Sequence, residues 1–193
     1  MKSKTIITAI IAIVLLFLVS IAIYPLIQNK IMKALYPLKF TDTVLKYAEK
    51  YNVEPALIFA TIKAESNFNE KAVSRSEAYG LMQITNETFW WLQSKTEEDD
   101  SKVSASELIN PEVSIKYGSY LLKLNLESYH DMKTAMCAYN AGRSRTEIWL
   151  KDTRYSADGK KIENIPYPET DNYVKKVLKA YDMYKKLYFN NKG

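Results

Sequence analysis

An all-α domain behind one N-terminal membrane helix is the architecture this sequence predicts. Three observations carry that expectation. Apolar residues recur with helical period in nearly every segment after residue 40, no long stretch alternates as a half-buried strand does, and one uncharged apolar run fills the N-terminus. The chain has 193 residues, 47% of them hydrophobic, which suffices for one packed domain of about 150 residues beside an accessory segment.

The accessory segment comes first. Lys2 and Lys4 precede an apolar run from Ile6 to Ile23, broken only by Thr8 and Ser20, and no charge occurs between Lys4 and Lys30. Eighteen helical residues span about 27 Å, close to the roughly 30 Å of a bilayer core, and Tyr24 to Ile27 can complete the crossing. The run reads as an uncleaved anchor over residues 1–24; a signal peptide cut after Ser20-Ile21-Ala22 is the alternative. The short two-lysine tail favours N-terminus in, hence a single-pass cell-membrane protein with an extracytoplasmic domain, or a secreted one after cleavage. Residues 25–40 read as a stalk with Pro25 and Pro37 as breakers, and residues 41–190 as the domain.

Within the domain the helices follow in order. Val44, Tyr47, Ala48 and Tyr51 fall at i, i+3, i+4 and i+7 behind the cap candidates Thr41 and Asp42. Pro55 opens a helix to about Ser66, with Leu57, Ile58, Thr61 and Ile62 on its apolar face. Residues 67–80 read as a polar loop ending at Gly80. Thr85 or Asn86 caps a short helix bearing Phe89, Trp90 and Leu92, and the acidic cluster Glu97 to Asp100 reads as a solvated loop. Pro111 opens a helix to about Leu126, another covers Met132 to Asn140, and Ser144 caps one to Leu150. After a loop over 152–168, a final helix from Glu169 to Tyr188 lines Val174, Val177, Leu178, Tyr181 and Tyr184 along one side.

Composition excludes several chemistries. One cysteine, Cys137, forms no internal disulfide, and one histidine, His130, cannot build a multi-histidine metal site. Neither G-x-x-x-x-G-K-[ST] nor G-x-G-x-x-G occurs, so nucleotide phosphates have no cradle. The net charge of +5 and pI near 9.0 suit an anionic surface, but the charges are dispersed and no nucleic-acid motif accompanies them.

Glu65 stands out on physical grounds. It continues the face of Leu57 and Thr61 and lies in the last turn of its helix. Burial and the negative end of the helix dipole both disfavour a carboxylate there, so the group tends to stay protonated, as a general acid must.

Four blocks then follow one another: Glu65-Ser66; Gly80-Leu81-Met82-Gln83-Ile84; Ala138-Tyr139-Asn140-Ala141-Gly142; and Ile165-Pro166 with Glu169-Thr170-Asp171-Asn172-Tyr173-Val174. In this order, over residues 41–188, they resemble the soluble-lytic-transglycosylase-like family of peptidoglycan-cleaving enzymes. The resemblance implies a goose-type-lysozyme-like helical fold in a protein of a bacterium or its phage. It implies Glu65 as the catalytic acid. It also implies a substrate groove formed with Ser66, Ser74, Met82, Gln83, Tyr139, Asn140, Glu169 and Tyr173. The substrate would be peptidoglycan glycan strands, with no metal or organic cofactor, and a partner in cell-wall or secretion machinery is left open. Three positions depart from the family pattern. Glu77 stands where Gly is usual, Thr85-Asn86 replaces Met-Pro, and Ser114 replaces a common Asn.

The resembled family uses one glutamic acid as acid and then base, giving 1,6-anhydro-muramic ends without water. A hydrolytic muramidase would need a second carboxylate, with Glu70 and Glu77 as candidates, and a silent peptidoglycan-binding module is a third reading.

Overall fold

A computed structural model describes residues 2–96 and 103–189; the acidic cluster from Glu97 to Asp100 lies outside them. The chain divides into two units, Met1–Pro37 and Leu38–Gly193.

The first unit is one helix, α1, from Lys2 to Leu35. Within it Leu15–Leu35 is long and apolar enough to cross a membrane, with a mean hydropathy of 1.6. Leu16, Phe17 and Leu26 leave most of their surface bare. The stalk expected from residue 25 is helical instead as far as Leu35. Pro25 sits inside the helix, where it removes a single backbone donor between strong helix-forming flanks. The chain leaves the helix just before Pro37, as the restriction on residues preceding proline requires.

The second unit is built from α2 (Thr41–Tyr51), α3 (Pro55–Glu65), α4 (Asn86–Gln93), α5 (Pro111–Tyr129), α6 (Met132–Ala141), α7 (Arg143–Leu150) and α8 (Pro168–Tyr184). A 3-10 turn spans Ala105–Ile109, and a π-turn over Lys185–Phe189 extends α8. One small hairpin interrupts the helices. Its strands β1 (Ala78–Tyr79) and β2 (Ile84–Thr85) pair antiparallel, Ala78 opposite Thr85 and Tyr79 opposite Ile84.

The core forms around α3. Ala56 to Ile62 and then Ala64 are all buried, so this helix has no solvent face over its first two turns, unlike the one-sided helix expected. Each fully buried Ile58 or Phe59 contributes about 1.5–3 kcal/mol. The one hydroxyl inside, on Thr61, donates to the Leu57 carbonyl at 2.9 Å and is thereby satisfied. Helices α8, α2 and α5 pack around α3. Its last residue therefore emerges from a helix enclosed over its first two turns, and that placement fixes the site.

Caps differ from expectation at two starts. Phe40, in left-handed backbone, precedes α2, so Thr41 and Asp42 lie within the helix. Gly142 precedes α7, so Ser144 does too. Thr85 caps α4 as expected, accepting from the Thr88 amide at 3.2 Å, and His130 terminates α5 at φ 51°. Cys137 is fully buried, and burial pushes its thiol up to about 12, leaving it unreactive core.

Candidate active site

The hairpin segment from Ser74 to Thr85 is held by backbone groups. Ser74 Oγ accepts the amides of Ser76 (3.2 Å) and Ala78 (3.1 Å), and its own amide donates to the Ala78 carbonyl at 3.0 Å. Gly80 has φ 75°, and a Cβ there would stand 1.9 Å from the Leu108 carbonyl oxygen, so no other residue fits. Gln83, also left-handed at φ 50°, donates its amide to the carbonyls of Gly80 (2.9 Å) and Ala72 (3.1 Å). Glu77 has φ 54° and is exposed, so the loop imposes at this position the left-handed backbone that glycine adopts freely.

This loop faces the ends of three helices across a cleft of about 400 Å³, lined by Glu65 from α3, Ser74 and Gln83 from the loop, Tyr139 and Asn140 from α6, and Glu169 from α8. Six of the nine residues expected at the site thus come together around one cavity. The other three take different places. Met82 is fully buried and does not line the cleft. Its thioether fills the space that a side chain at Gly118 would take, where a Cβ would lie 2.3 Å from the sulfur. Its backbone does the structural work: the amide donates to Ser114 Oγ at 3.1 Å, and the carbonyl accepts the Tyr139 hydroxyl at 2.8 Å. Ser66 spends its hydroxyl on the carbonyls of Leu81 (2.9 Å) and Ile62 (3.2 Å), tying the end of α3 to the loop. Tyr173 is buried next to the Glu65 carboxyl and is not among the residues that line the cleft.

Glu65 is half-buried, with part of its surface open to the cleft. Burial raises its carboxyl to about 7, opposed by a hydrogen-bonding interaction with Tyr173 and by the charge of Lys176. The Tyr173 hydroxyl meets no partner at full hydrogen-bond geometry, so this interaction falls short of an ideal hydrogen bond. Burial, and then the nearby Glu65, push the Tyr173 and Tyr139 phenols well above their usual range. Both therefore remain protonated, and neither can serve as a base. A carboxyl near 7 can give and take a proton at neutral pH.

The polar groups opposite the acid differ in what they leave available. Ser74 already accepts two amides, so its proton is free to donate. Asn140 is exposed on the cleft, and no hydrogen bond holds its side chain among the described residues. The cleft continues into a second cavity of about 430 Å³, which shares Thr88, Leu121, Tyr139 and Gly142 and adds Trp91 and Arg143. Arg143 is fixed there by the Leu124 carbonyl (3.3 Å), Asn125 (3.0 Å) and Ser128 (2.8 Å), with its guanidinium 5.5 Å from the Trp91 ring. Sequence reasoning missed Trp91, Arg143 and Lys176. Trp91 lies inside α4 and Arg143 opens α7, neither within a recognisable motif, and Lys176 meets the site only through tertiary packing.

The Transglycosylase SLT domain family matches residues 42–162, from the start of α2 to the loop before α8. The chain belongs to this family. The matched stretch contains Glu65, Ser74, Gln83, Tyr139 and Asn140, whereas Glu169 and Tyr173 lie beyond it on α8. A soluble lytic murein transglycosylase of Salmonella typhimurium is 31% identical to this SLT-family chain over 159 residues, covering 81% of this chain and 24% of that protein. A membrane-bound lytic murein transglycosylase C of Yersinia pestis is 35% identical over 114 residues, covering 59% of this chain and 31% of that protein. Among solved structures, an inactive glutamate-to-glutamine mutant of the lytic transglycosylase Slt from Pseudomonas aeruginosa matches with a TM-score of 0.69 at 33% identity, over 80% of this chain and 25% of that one. The 70 kDa soluble lytic transglycosylase of Escherichia coli matches with a TM-score of 0.70 at 26% identity, over 83% of this chain and 26% of that one. This SLT-family chain spans about a quarter to a third of the length of these relatives.

Proposed function

We propose that this chain is a membrane-anchored peptidoglycan lytic transglycosylase that cuts the β-1,4 bond between N-acetylmuramic acid and N-acetylglucosamine. The observation that carries the reading is the Glu65 carboxyl, lifted to about 7 and opening on a cleft that also holds the Asn140 amide and the Ser74 hydroxyl. Glu65 donates its proton to the glycosidic oxygen as the bond to the anomeric carbon breaks. The substrate's own acetamido carbonyl shares the positive charge that develops there, with Asn140 holding that group. The Glu65 carboxylate then takes the proton of the muramoyl 6-hydroxyl, whose oxygen bonds to the anomeric carbon and closes the 1,6-anhydro ring. One proton leaves Glu65 and one returns, and no water is consumed. The tethered hydroxyl competes well with water because its effective concentration is high.

Ser74, Gln83 and Glu169 line the same cleft and are assigned to substrate contact; Ser66, Met82 and Tyr173 are assigned to holding those contacts in place. The apolar helix α1 is assigned to a single membrane crossing with the domain outside, supported by its composition and by the membrane-bound relative.

The test is digestion of purified cell-wall sacculi by the full-length chain in detergent, with products weighed by mass spectrometry. The expected products carry muramic ends one water lighter than hydrolysed ends. Glu65→Gln removes the donor and is expected to lower the rate by about 10²–10⁴-fold. An unchanged rate in that variant overturns the assignment. Hydrated ends would mark a muramidase instead. For that reading Glu169 lines the cleft and supplies the second carboxylate, whereas Glu70 and Glu77 do not line it.

A further inference from the structure

The end of α3 is bound to α8 by one contact that the reaction scheme does not use. Lys176 Nζ donates to the carbonyl oxygen of Ala64 at 2.5 Å, across 112 residues of sequence. Ala64 immediately precedes Glu65 in the last turn of α3, where carbonyls lack helical partners and concentrate the negative end of the dipole. Lys176 lies one turn beyond Tyr173 on α8, so the phenol and the ammonium approach the end of α3 from the same face.

We infer that Lys176 is a positioning residue for Glu65: its ammonium ties α8 to the final turn of α3 and supplies the positive charge against which the carboxyl gives up and recovers its proton. This rests on the reading of Glu65 as the reacting acid. The groups around the carboxyl support it. From α8 come Tyr173, Lys176 and, at the cleft rim, Glu169; from α6 comes Tyr139; from the hairpin loop come neutral Ser74, Ser76 and Gln83. On α3 itself Lys63 donates to Asn67 at 3.2 Å, and its ammonium is pushed down by burial and then by Lys176. Lys176 is thus the cation acting on Glu65 among these neighbours, and it opposes the burial that lifts the acid. Without it the carboxyl would hold its proton more firmly: a larger share would be protonated at neutral pH, but each donation would be harder, while the carboxylate left behind would be the stronger base.

The test compares the full-length chain with Lys176→Met, Lys176→Arg and Lys175→Met. Lys175 is the control, since it is paired with Asp171 at 2.6 Å on the neighbouring face of α8. Two readouts are taken. The first is the high-pH limb of the rate profile on sacculi. The second is the titration of the Glu65 carboxyl by carbon-13 NMR, assigned with Glu65→Gln, which needs no turnover. In Lys176→Met both midpoints are expected to rise by about half a unit, a modest shift because the lysine is largely exposed and solvent screens it. Lys176→Arg restores the parent midpoint, Lys175→Met leaves it unchanged, and the difference fades in high salt. A carboxyl midpoint that does not move in folded Lys176→Met overturns the inference, as does an equal shift in Lys175→Met. If the parent chain releases no anhydro products, the catalytic reading fails, while the NMR titration still judges Lys176.

Discussion

The two walls of the cleft are built by opposite means. One wall is the end of α3, where an acid emerges from a helix buried over its first two turns and is met by Tyr173 and Lys176 of α8. The other is the loop from Ser74 to Gln83, which is anchored by buried Leu81 and Met82 and takes its shape from side-chain-to-backbone hydrogen bonds and three left-handed residues, Glu77, Gly80 and Gln83. Packing sets the proton affinity on the first wall. Backbone geometry sets the shape of the second. A substitution on one wall should therefore be read in ionisation, and on the other in folding.

The largest effect expected from this contrast is at Gly80. Gly80→Ala would drive a methyl into the Leu108 carbonyl at 1.9 Å and force an unfavourable φ, costing about 3–5 kcal/mol in urea unfolding. A loss under about 1 kcal/mol would show that the loop yields easily and that the contrast is overstated. Next comes Glu65 itself. Its folded carboxyl titrates near 7 against an ordinary 4.5, so the folded state binds this proton more tightly than the unfolded chain does. Stability from this group is whole at low pH and declines as pH rises from about 4.5 to above 7. Glu65→Gln should accordingly be more stable than the parent by about 2 kcal/mol at pH 8 and no more stable at pH 4, measured by denaturant midpoints at both values. A gain equal at both pH values would assign the effect to packing. The smallest effect is at Glu77. Glu77→Gly relieves a left-handed side chain at an exposed position and should stabilise by about 0.5–1 kcal/mol, with activity preserved because this side chain does not line the cleft. A destabilised variant would mean that the carboxylate makes a contact worth more than the strain.

The first wall was far more legible in the sequence than the second. The 3.6-residue recurrence of Val44, Tyr47, Ala48 and Tyr51, and of Val174, Val177 and Tyr181, marks α2 and α8 directly, and Pro55 and Pro111 mark the starts of α3 and α5. Glu65 could be singled out because its depth follows from its place on a helical face. Strands of two residues are too short to show alternation, so Ala78–Tyr79 and Ile84–Thr85 read only as loop. The 3-10 turn at Ala105 did leave a trace in Ser104 and Glu107, whose capping box was passed over among the serines. Met82 illustrates the remaining gap. The family resemblance places it beside Gln83 at the groove, but its side chain is buried against Gly118, and of the two only Gln83 reaches the cavity. Lys176 shows the same limit over a longer range, since nothing near position 176 announces the Ala64 carbonyl.

Gly118 carries a consequence for how the cleft is kept in register. The notch it leaves in α5 receives the Met82 thioether, and the same methionine's carbonyl anchors the Tyr139 phenol. Helix α5 thus acts as a keel: sliding it along its axis would unseat the sulfur, release the phenol and open the floor of the cleft. A methyl added at that notch would act on the groove from its far side, without touching any residue that lines the cleft.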